Sequence, residues 1–374
     1  MLYSLEQTSR GNDNEHMAKL EESIKQFARD LGFPLSGIAR ASAADQFERL
    51  TEWLGRGYAG EMDYMRRHTE ARKSPSSILP EVRSVVMLGM EYGDKREFEK
   101  PNPPAPFPKS EVQPEALGSS ILGKIARYAA GEDYHDNIRR QLNKLLSWLE
   151  TEVPSCKGRG VVDSAPLLER DFARRAGLGW IGKNTMLINK HRGSYFFLAA
   201  LLVDLELEAD GPHEAQHCGT CTACLDACPT QAFAGPGWLD SRKCISYLTI
   251  ELRLSIPEEF RSELDGWLFG CDVCQEVCPW NRRDRSDPES VNLIELLSLD
   301  EEDFREHFRG TALMRTKRRG LLRNAALLLG EQGDASALPA LQRALADPEP
   351  MIREAAAWAL ERIREREKVI SFQG

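Results

Sequence analysis

The stretch that decides the fold is Cys-Gly-Thr-Cys-Thr-Ala-Cys-Leu-Asp-Ala-Cys-Pro, residues 218–229. Its cysteines have the spacing C-x2-C-x2-C-x3-C, and a proline follows the last of them. Bacterial iron–sulfur proteins hold [4Fe–4S] clusters with this run: three thiolates bind one cubane, and the fourth cysteine binds the neighbouring cubane. The stretch therefore predicts two clusters rather than one.

A second, shorter motif supplies the remaining ligands. Its three cysteines form C-x2-C-x3-C before Pro279, and Cys244 stands alone between the two motifs. Because the last cysteine of each motif is expected to cross to the other cluster, eight cysteines divide into two quartets. The first cluster is predicted to bind Cys218, Cys221, Cys224 and Cys278. The second is predicted to bind Cys228, Cys244, Cys271 and Cys274, with Cys244 in place of the absent first cysteine of the shorter motif.

Two other uses of cysteine explain the pattern less well. Structural zinc is held by paired C-x2-C motifs and not by a triplet followed by Cys-Pro. Disulfides need an oxidising compartment, and the N-terminal residues contain no apolar stretch of signal-peptide length. The ninth cysteine, Cys156, is interpreted as an ordinary thiol near a loop.

Length and composition predict a multidomain protein of the cytoplasm. The chain has 374 residues, of which 41% are hydrophobic, and this supports two or three domains with cores of their own. No run approaches the roughly 18 apolar residues of a membrane span. Residues 1–17 are polar and predict a disordered leader. The net charge of −9 argues against a uniformly basic nucleic-acid-binding protein.

The region before the cysteines alternates between helical and strand-like patterns. Apolar residues at helical spacing predict helices from residue 18, over 43–56 and after residue 135. Apolar runs predict buried strands at 84–90 and 195–203, and another strand ends at Val162, with Asp163 at its exit. Six prolines between residues 100 and 114 predict a loop. The alternation predicts one α/β or α+β domain over 18–215, followed by a cluster-binding domain over 216–282.

The C-terminal region, residues 283–374, combines a helical repeat with a basic segment. Arg323-Asn-Ala-Ala-Leu-Leu-Leu recurs as Arg353-Glu-Ala-Ala-Ala-Trp-Ala, and this spacing predicts HEAT-like repeats. Between Arg305 and Arg323 there are seven basic residues and one acid, a local charge of +6 on an acidic chain. Such a patch indicates a polyanionic partner.

Two short motifs are similar to ligand-binding signatures but lack the required context. Residues 177–182 read G-x-G-x-x-G, yet a charged helical segment precedes them where a dinucleotide-binding fold needs a strand. Their glycines are interpreted as a tight turn beside a ligand or cluster. Asp133-Tyr-His135 opens like the D-x-H-x-x-G motif of some corrinoid enzymes, but Ile138 replaces the glycine. His135 is therefore not predicted to ligate cobalt; a turn hydrogen bond and a role in a pocket both stay open.

Together these features resemble the epoxyqueuosine reductase family. The resemblance covers about residues 18–366 and depends on the order of the cluster motifs, the Asp163-Ser-Ala-Pro turn, segment 176–184 and the helical tail. That family removes the epoxide oxygen of epoxyqueuosine on the wobble base of tRNA, the last step of queuosine synthesis. The resemblance implies an α+β protein. Its parts would be a cobalamin-binding domain like that of reductive dehalogenases, an inserted two-cluster ferredoxin-like domain and a HEAT-like tRNA-binding domain.

The resemblance also implies roles for single residues. Asp163 matches the catalytic acid of the family. The positions that match cobalamin contacts are Arg72, Ala126, Arg127, Asp163, Leu187, Leu198 and Ser246. Some members carry cysteine at the position of Ala126, and a lysine that touches tRNA in some members aligns with Leu252, so those side-chain contacts are not carried over. The residues expected to hold phosphates of the tRNA anticodon stem are Arg315, Lys317, Arg318, Arg319 and Arg323.

The implied chemistry is loss of an epoxide oxygen as water, with two electrons and protons. The implied cofactors are cob(II)alamin and two [4Fe–4S] clusters, which an external donor such as ferredoxin or flavodoxin would refill. Asp163 would supply a proton near neutral pH if burial against the corrin face raised its pKa. A monomer is expected. The alternatives are an electron-transfer protein that takes up no cobalamin, a small-molecule reductive dehalogenase, and a colourless zinc-dependent tRNA-binding module.

Overall fold

The computed structural model describes residues 19–93, 121–281 and 287–373. The predicted leader over 1–17 and the proline-rich loop over 100–114 lie outside these residues. Within them, the chain forms a four-stranded sheet, a three-stranded sheet, two short hairpins and a C-terminal helical region. The fold is α+β because the strands of the larger sheet all pair antiparallel.

The four-stranded sheet forms the centre of the N-terminal domain. Its spatial order is β1 (Leu35–Arg40), β2 (Ser84–Glu91), β7 (Phe196–Val203) and β4 (Gly158–Val161). Both faces are buried, since Val86 and Leu88 of β2 pack in one apolar core while Val85 and Met87 pack in another. Helices α1 (19–30) and α4 (Tyr134–Glu152) cover the first face, and α5 (Glu169–Arg175) covers the second. The predicted strands are confirmed, and Asp163 follows β4 by two residues.

The smaller sheet joins distant parts of the chain. Strand β3 (Leu122–Ile125) pairs in parallel with β10 (Trp267–Phe269) and antiparallel with β11 (Glu289–Asn292). The packing is close, since a Cβ on Gly123 would lie 2.6 Å from a methyl carbon of Leu293. Residues 121–129 share their core with the C-terminal helices. They therefore leave the domain predicted over 18–215, an exchange that sequence order does not reveal.

The C-terminal region packs around one buried helix. Its helices are α10 (Leu293–Leu297), α11 (Glu301–Phe308), α12 (Lys317–Gln332), α13 (Leu338–Ala344) and α14 (Pro350–Gln373). Every residue of α12 from Gly320 to Gly330 is buried, because this segment is apolar on all sides. Helix α14 lies so close that a Cβ on Gly330 would be 2.8 Å from the Cα of Ala359. This stacking fits the predicted helical repeat.

The remaining elements are short. In the N-terminal domain they are α2 (Phe47–Gly55), α3 (Asp63–Arg67), β5 (Trp180–Ile181) and β6 (Leu187–Ile188). In the cysteine-rich part they are α6 (Ala223–Asp226), β8 (Phe233–Gly235), β9 (Trp238–Leu239), α7 (Ile245–Ile250), α8 (Glu258–Arg261) and α9 (Val273–Glu276). Trp53 of α2 joins the two parts by donating its indole N–H to the carbonyl of Leu239 at 2.7 Å. No described helix combines the length and apolarity that crossing a membrane requires.

Candidate active site and cluster-binding cavities

Four of the predicted cluster ligands line one cavity. Cys218, Cys221, Cys224 and Cys278 surround a space of about 220 Å³ together with the turn between β5 and β6. Cys224 lies on α6 and Cys278 follows α9, so both cysteine motifs contribute ligands. This is the quartet that the crossing of the last cysteine predicts.

The β5–β6 hairpin supports this cavity. Lys183 donates from Nζ to the carbonyls of Gly219 and Cys221 at 2.7 and 2.8 Å, and Asn184 donates to the carbonyl of Cys274 at 3.2 Å. The hairpin closes because residue 179 is glycine: a Cβ there would lie 2.1 Å from the carbonyl oxygen of Ile188. The structure therefore has a tight turn at these glycines, and the turn lies beside the first cysteine quartet.

The other four predicted ligands also lie together. The thiols of Cys228, Cys244, Cys271 and Cys274 interact electrostatically, and Cys274 also interacts with Cys224 of the first quartet. The two quartets are therefore neighbours. All nine cysteines are free thiols. In the described part of the chain no three His, Cys, Asp or Glu side chains converge on a single-ion site. A zinc ion would draw its thiolates to about 2.3 Å from one centre, whereas a cubane holds its ligands around a larger core.

Asp163 lies among polar side chains from a neighbouring helix. It occupies the turn after β4, and 44% of its side chain is accessible. One carboxylate oxygen lies 2.5 Å from Nε2 of His135, and the other accepts the hydroxyl hydrogen of Tyr134. Both partners belong to the first turn of α4, whose N-cap is Asp133. The start of one helix thus presents two donors to the carboxylate.

His135 is engaged at both ring nitrogens. Its Nδ1 lies 2.8 Å from Oδ1 of Asp133 and 2.5 Å from Nη2 of Arg315. A carboxylate only accepts hydrogen bonds and a guanidinium only donates them. Asp133 and Arg315 therefore favour opposite protonation states of the same nitrogen. With Nε2 directed at Asp163, neither nitrogen is available to cobalt, which fits the prediction that His135 is not an axial ligand.

Hydrogen bonding outweighs burial at this pair. Burial disfavours the charged form of Asp163, but the hydrogen bonds from His135 and Tyr134 outweigh it and lower the pKa of the carboxyl group. Burial likewise opposes protonation of His135, but its bond to Asp163 raises the pKa of the imidazole. Burial thus acts in the expected direction on Asp163, but the hydrogen bonds to His135 and Tyr134 set the net shift. Both pKa shifts favour the proton on the imidazole rather than on the carboxyl group.

Arg315 reaches this group from the C-terminal region. It lies in the single turn Ala312–Thr316 that precedes α12. Its Nη1 is 3.3 Å from the hydroxyl of Tyr134, and its guanidinium lies 5.0 Å from the centre of that ring. Its carbonyl accepts a hydrogen bond from Arg253 at 2.9 Å. Arg315 is predicted as a phosphate contact, but the structure places its guanidinium against His135 and Tyr134, the two partners of Asp163.

Arg72 faces the same region as Asp163. Arg72 is 8% exposed, and its guanidinium donates to the carbonyl of His68 at 3.0 Å. Tyr64 and Glu169 each interact electrostatically with both Arg72 and Asp163. Burial raises the pKa of Glu169. Tyr64 is 42% exposed although it is a large aromatic residue, so this region is open to a ligand.

Residues 126–128 connect the Asp163 region to the cysteines. Ala126 is fully buried, and Arg127 donates its backbone N–H to the carboxylate of Asp272 at 2.8 Å. In the sequence, Asp272 stands between Cys271 and Cys274 of the second quartet. The ring of Tyr128 lies 6.1 Å from that of Tyr134 and 6.2 Å from that of Phe269, two residues before Cys271. The sequence pattern gave no indication of this connection.

The other predicted cobalamin contacts occupy three separate elements. Leu187 is buried on β6, and Leu198 is half-buried on β7. Ser246 is half-buried in the first turn of α7, whose N-cap is Cys244. Ser246 therefore lies within one helical turn of a cluster ligand.

The basic run does not form one exposed surface. Arg318 is buried, pairs with Asp347 at 2.5 Å and donates to the carbonyl of Leu299 at 2.7 Å. Arg323 is 1% exposed and donates to backbone carbonyls that include that of Leu248, at 2.7 Å. The prediction that Arg318 and Arg323 hold phosphates is therefore wrong. Lys317 is exposed and Arg319 is half-buried.

The sequence contained signals for the burial of α12 and for the polar group at the start of α4. Segment 320–330 has only two polar residues, Arg323 and Asn324, which indicates a helix buried on all sides whose charged groups must be paired internally. Asp133-Tyr-His135 opens an amphipathic helix, and an aspartate N-cap there fixes the two following side chains. The sequence reasoning missed Tyr134, Asp133 and the contact of Arg315 with His135.

An iron–sulfur oxidoreductase is the class that this arrangement indicates, since two cysteine quartets share one chain with a hydrogen-bonded His135–Asp163 pair. Family models match three parts of the chain. Residues 217–281 match a 4Fe-4S double cluster binding domain, residues 72–164 match "Epoxyqueuosine reductase QueG, DUF1730", and residues 310–372 match HEAT repeats.

Comparison with whole proteins is more specific: the chain belongs to the epoxyqueuosine reductase family. The enzyme of that name from Pseudomonas aeruginosa is 41% identical over 356 residues, covering 92% of this chain and 95% of its own. The one from Escherichia coli K12 is 38% identical over 359 residues, covering 93% and 90%. The resemblance that the sequence suggested is confirmed, and the protein is an oxidoreductase of this type.

Two solved structures agree over almost the whole fold. An epoxyqueuosine reductase crystallised with an epoxyqueuosine-modified tRNA-Tyr stem loop has a TM-score of 0.81 at 32% identity, covering 93% of this chain and 91% of its own. The Bacillus subtilis enzyme, whose catalytic aspartate loop is swung out of its active site, has a TM-score of 0.80 at 32% identity, with the same coverage. The predicted α+β architecture is confirmed.

Proposed function

We propose that this reductase acts on epoxyqueuosine at the wobble position of a tRNA anticodon and produces queuosine. In this reaction both C–O bonds of the epoxide break, a C=C bond forms, and the oxygen leaves as water after uptake of two electrons and two protons. The observation that carries the proposal is the His135–Asp163 pair, which holds a proton in a chain with two cluster quartets. The relative bound to a modified tRNA stem loop supports the choice of substrate.

Cobalamin is the proposed third cofactor beside the two clusters. Residues 18–215 would hold it through Arg72, Leu187 and Leu198, together with the Ala126–Arg127 backbone and Ser246. These residues would contact the corrinoid, while both nitrogens of His135 keep their hydrogen-bond partners Asp133 and Asp163. Half-exposed polar groups such as Tyr64 and Ser246 suit the amides at the edge of a corrin ring. When bound, the cobalt would supply the reducing electrons for C–O cleavage.

Proton delivery is the proposed task of the His135–Asp163 pair. The imidazole holds the proton, and its Nε2 passes it to the carboxylate oxygen 2.5 Å away. Asp163 then presents the proton to the departing oxygen, because 44% of its side chain is accessible against 13% for His135. The hydroxyl of Tyr134 orients the carboxylate from its other oxygen. A catalytic aspartate on a loop in the Bacillus subtilis relative supports this role.

Electrons are proposed to enter at the first quartet. Cys221 is exposed, whereas the other seven cluster cysteines are half-buried. An external carrier such as reduced ferredoxin or flavodoxin would therefore dock at this end. We further propose a cytoplasmic monomer, since a reducing compartment preserves thiolates and all cofactors lie within one chain.

Lys317 and Arg319 are the members of the basic run proposed to hold tRNA phosphates. Lys317 is exposed at the start of α12, and Arg319 is half-buried on the same helix. Arg315 is proposed to act in the proton-holding group instead. Residues 283–374 would thus contribute both a phosphate contact and one catalytic neighbour.

A turnover assay tests the proposed function. The protein is reconstituted anaerobically with iron, sulfide and cobalamin, reduced, and mixed with tRNA that carries epoxyqueuosine. Mass spectrometry of the nucleosides should show loss of one oxygen, and the loss should require cobalamin. If protein with both clusters leaves the nucleoside unchanged, the proposal fails, and a two-cluster electron-transfer protein becomes the better interpretation.

A further inference from the structure

A second polar cavity opens beside the Asp163 loop, and none of the steps above uses it. Its volume is about 390 Å³, and its lining includes Arg139, Arg159, Ser77 and Ser164. None of the ten residues that line it is acidic or aromatic. An apolar ligand or a stacked base would find no matching surface here, whereas an anion would meet two guanidinium groups.

The two arginines have donors to spare. Arg139 lies on α4, one turn beyond His135, and 54% of its side chain is accessible. Its polar contacts are Ser164 at 3.4 Å and the carboxylate of Asp136 at 3.7 Å. Arg159 is exposed on β4 and donates to the carbonyl of Ile78 at 3.3 Å. Each guanidinium carries five N–H donors, so these long contacts leave most of them for a ligand.

The cavity lies where the larger sheet ends. Strand β4 is at the edge of its described sheet, and Gly160 and Val161 of this strand line the cavity beside Arg159. The guanidinium groups of Arg139 and Arg159 suit a tetrahedral oxyanion, because one guanidinium can donate two parallel hydrogen bonds to two oxygens of a phosphate. Phosphate is thus the chemical class that the lining fits.

We propose that this cavity binds one backbone phosphate of the nucleic-acid substrate. The inference depends on the proposed function, which supplies that substrate. Ser164 directly follows Asp163 in the chain, so a phosphate held here fixes the backbone next to the nucleotide presented to the carboxylate. Phosphate contacts set the register of a nucleic acid without reading its bases. The cavity therefore positions the substrate and does not select its sequence.

Paired variants test the cavity. Arg139→Ala combined with Arg159→Ala removes both cations. Arg140→Ala is the matched control, because Arg140 is the next residue of α4, has the same 54% accessibility and pairs with Glu132 at 3.0 Å. Affinity for an epoxyqueuosine-modified stem loop is measured against potassium chloride concentration, and iron content is measured to check folding.

The expected effect follows from counterion release. Affinity falls with about the 0.7 to 0.9 power of salt concentration for each phosphate held. The double variant should therefore show a salt slope shallower by about 0.7–0.9 and a Kd about five- to eightfold higher at 0.1 M salt. KM should rise while kcat at saturating tRNA is kept. Arg140→Ala should match the wild type in all of these.

An unchanged Kd and salt slope in the double variant would overturn the proposal, and so would an equal loss in Arg140→Ala. If the alanine pair loses iron, Arg139→Gln with Arg159→Gln decides by the same criteria. Inorganic phosphate is compared with chloride at equal ionic strength. Competition by phosphate in the wild type, with unchanged tRNA affinity in the variant, would assign the cavity to free phosphate and refute the backbone contact. A wild type that fails to deoxygenate the tRNA refutes the proposed function itself, which separates the two failures.

Discussion

Replacing Asp163 with asparagine removes the group through which α4 reaches the substrate. The amide has the same shape but cannot carry the proton that His135 holds 2.5 Å away. General acid–base catalysis contributes about 10²–10⁴ in rate. We therefore expect Asp163→Asn to slow turnover by that factor, which corresponds to about 3–5 kcal/mol of activation free energy. Because 44% of the side chain is accessible, the fold and both clusters should be kept.

Single-turnover kinetics across pH measure this effect and its cause. In the proposed proton delivery, the active form of the wild type has a protonated His135 and an ionised Asp163. The pKa of His135 is raised, so turnover persists above the ordinary imidazole range and declines as pH rises through that raised pKa. The pKa of Asp163 is lowered, so the acidic decline lies below the ordinary carboxyl range. In Asp163→Asn the partner that raises the pKa of His135 is absent, and the residual activity should decline at lower pH.

Glu150→Gln is the control, because Glu150 is an exposed carboxylate at the far end of the same helix. It should retain wild-type turnover and pH dependence. Near-normal turnover in Asp163→Asn would refute the proton-delivery role. Loss of iron or cobalamin from that variant would instead show that Asp163 supports the structure.

Three further predictions follow from single contacts. Cys244→Ala should lower the iron content from about eight to about four atoms per chain, whereas the control Cys156→Ala should keep all of it. An unchanged iron content in Cys244→Ala would show that Cys244 is not a ligand of the second cluster. Arg318→Ala leaves the carboxylate of Asp347 without its arginine partner, so the free energy of unfolding measured in urea should fall by about 3–5 kcal/mol. The control Arg309→Ala changes an exposed residue and should alter that free energy by under about 0.5 kcal/mol. Equal stabilities of the two variants would contradict a stabilising buried pair. Arg315→Met removes a charge that opposes protonation of His135, so the decline of turnover should move to higher pH, and an unmoved profile would exclude this coupling.

The cysteine pattern could be interpreted from sequence because cluster ligation is largely local. Spacings of two and three residues place thiolates on one short turn, and the proline after each motif ends it. The quartet of Cys218, Cys221, Cys224 and Cys278 around one cavity shows that even the crossing between motifs followed from spacing. The apolar periods likewise predicted β2, β7 and α4, since burial of one face imposes those periods.

Side-chain partners were beyond the reach of the sequence. Arg315 and Arg318 lie three residues apart in one basic run, yet the first contacts His135, 180 residues away in sequence, and the second is paired with Asp347. Linear charge does not distinguish them, because burial depends on which elements pack around α12. The direction of the pKa of Asp163 could not be predicted either, since it depends on two donors that α4 brings to the exit of β4.

The sequence by itself determined the family, and it predicted the cluster ligands and the order of the domains. Each of these is recorded in spacing or composition, which the chain carries before it folds. Only the tertiary structure decided which charges are available to a substrate, which acid holds a proton, and which core contains residues 121–129. The physical reason is that hydrogen bonding and desolvation act over a few ångströms, between residues that lie from 28 to 180 positions apart in the sequence.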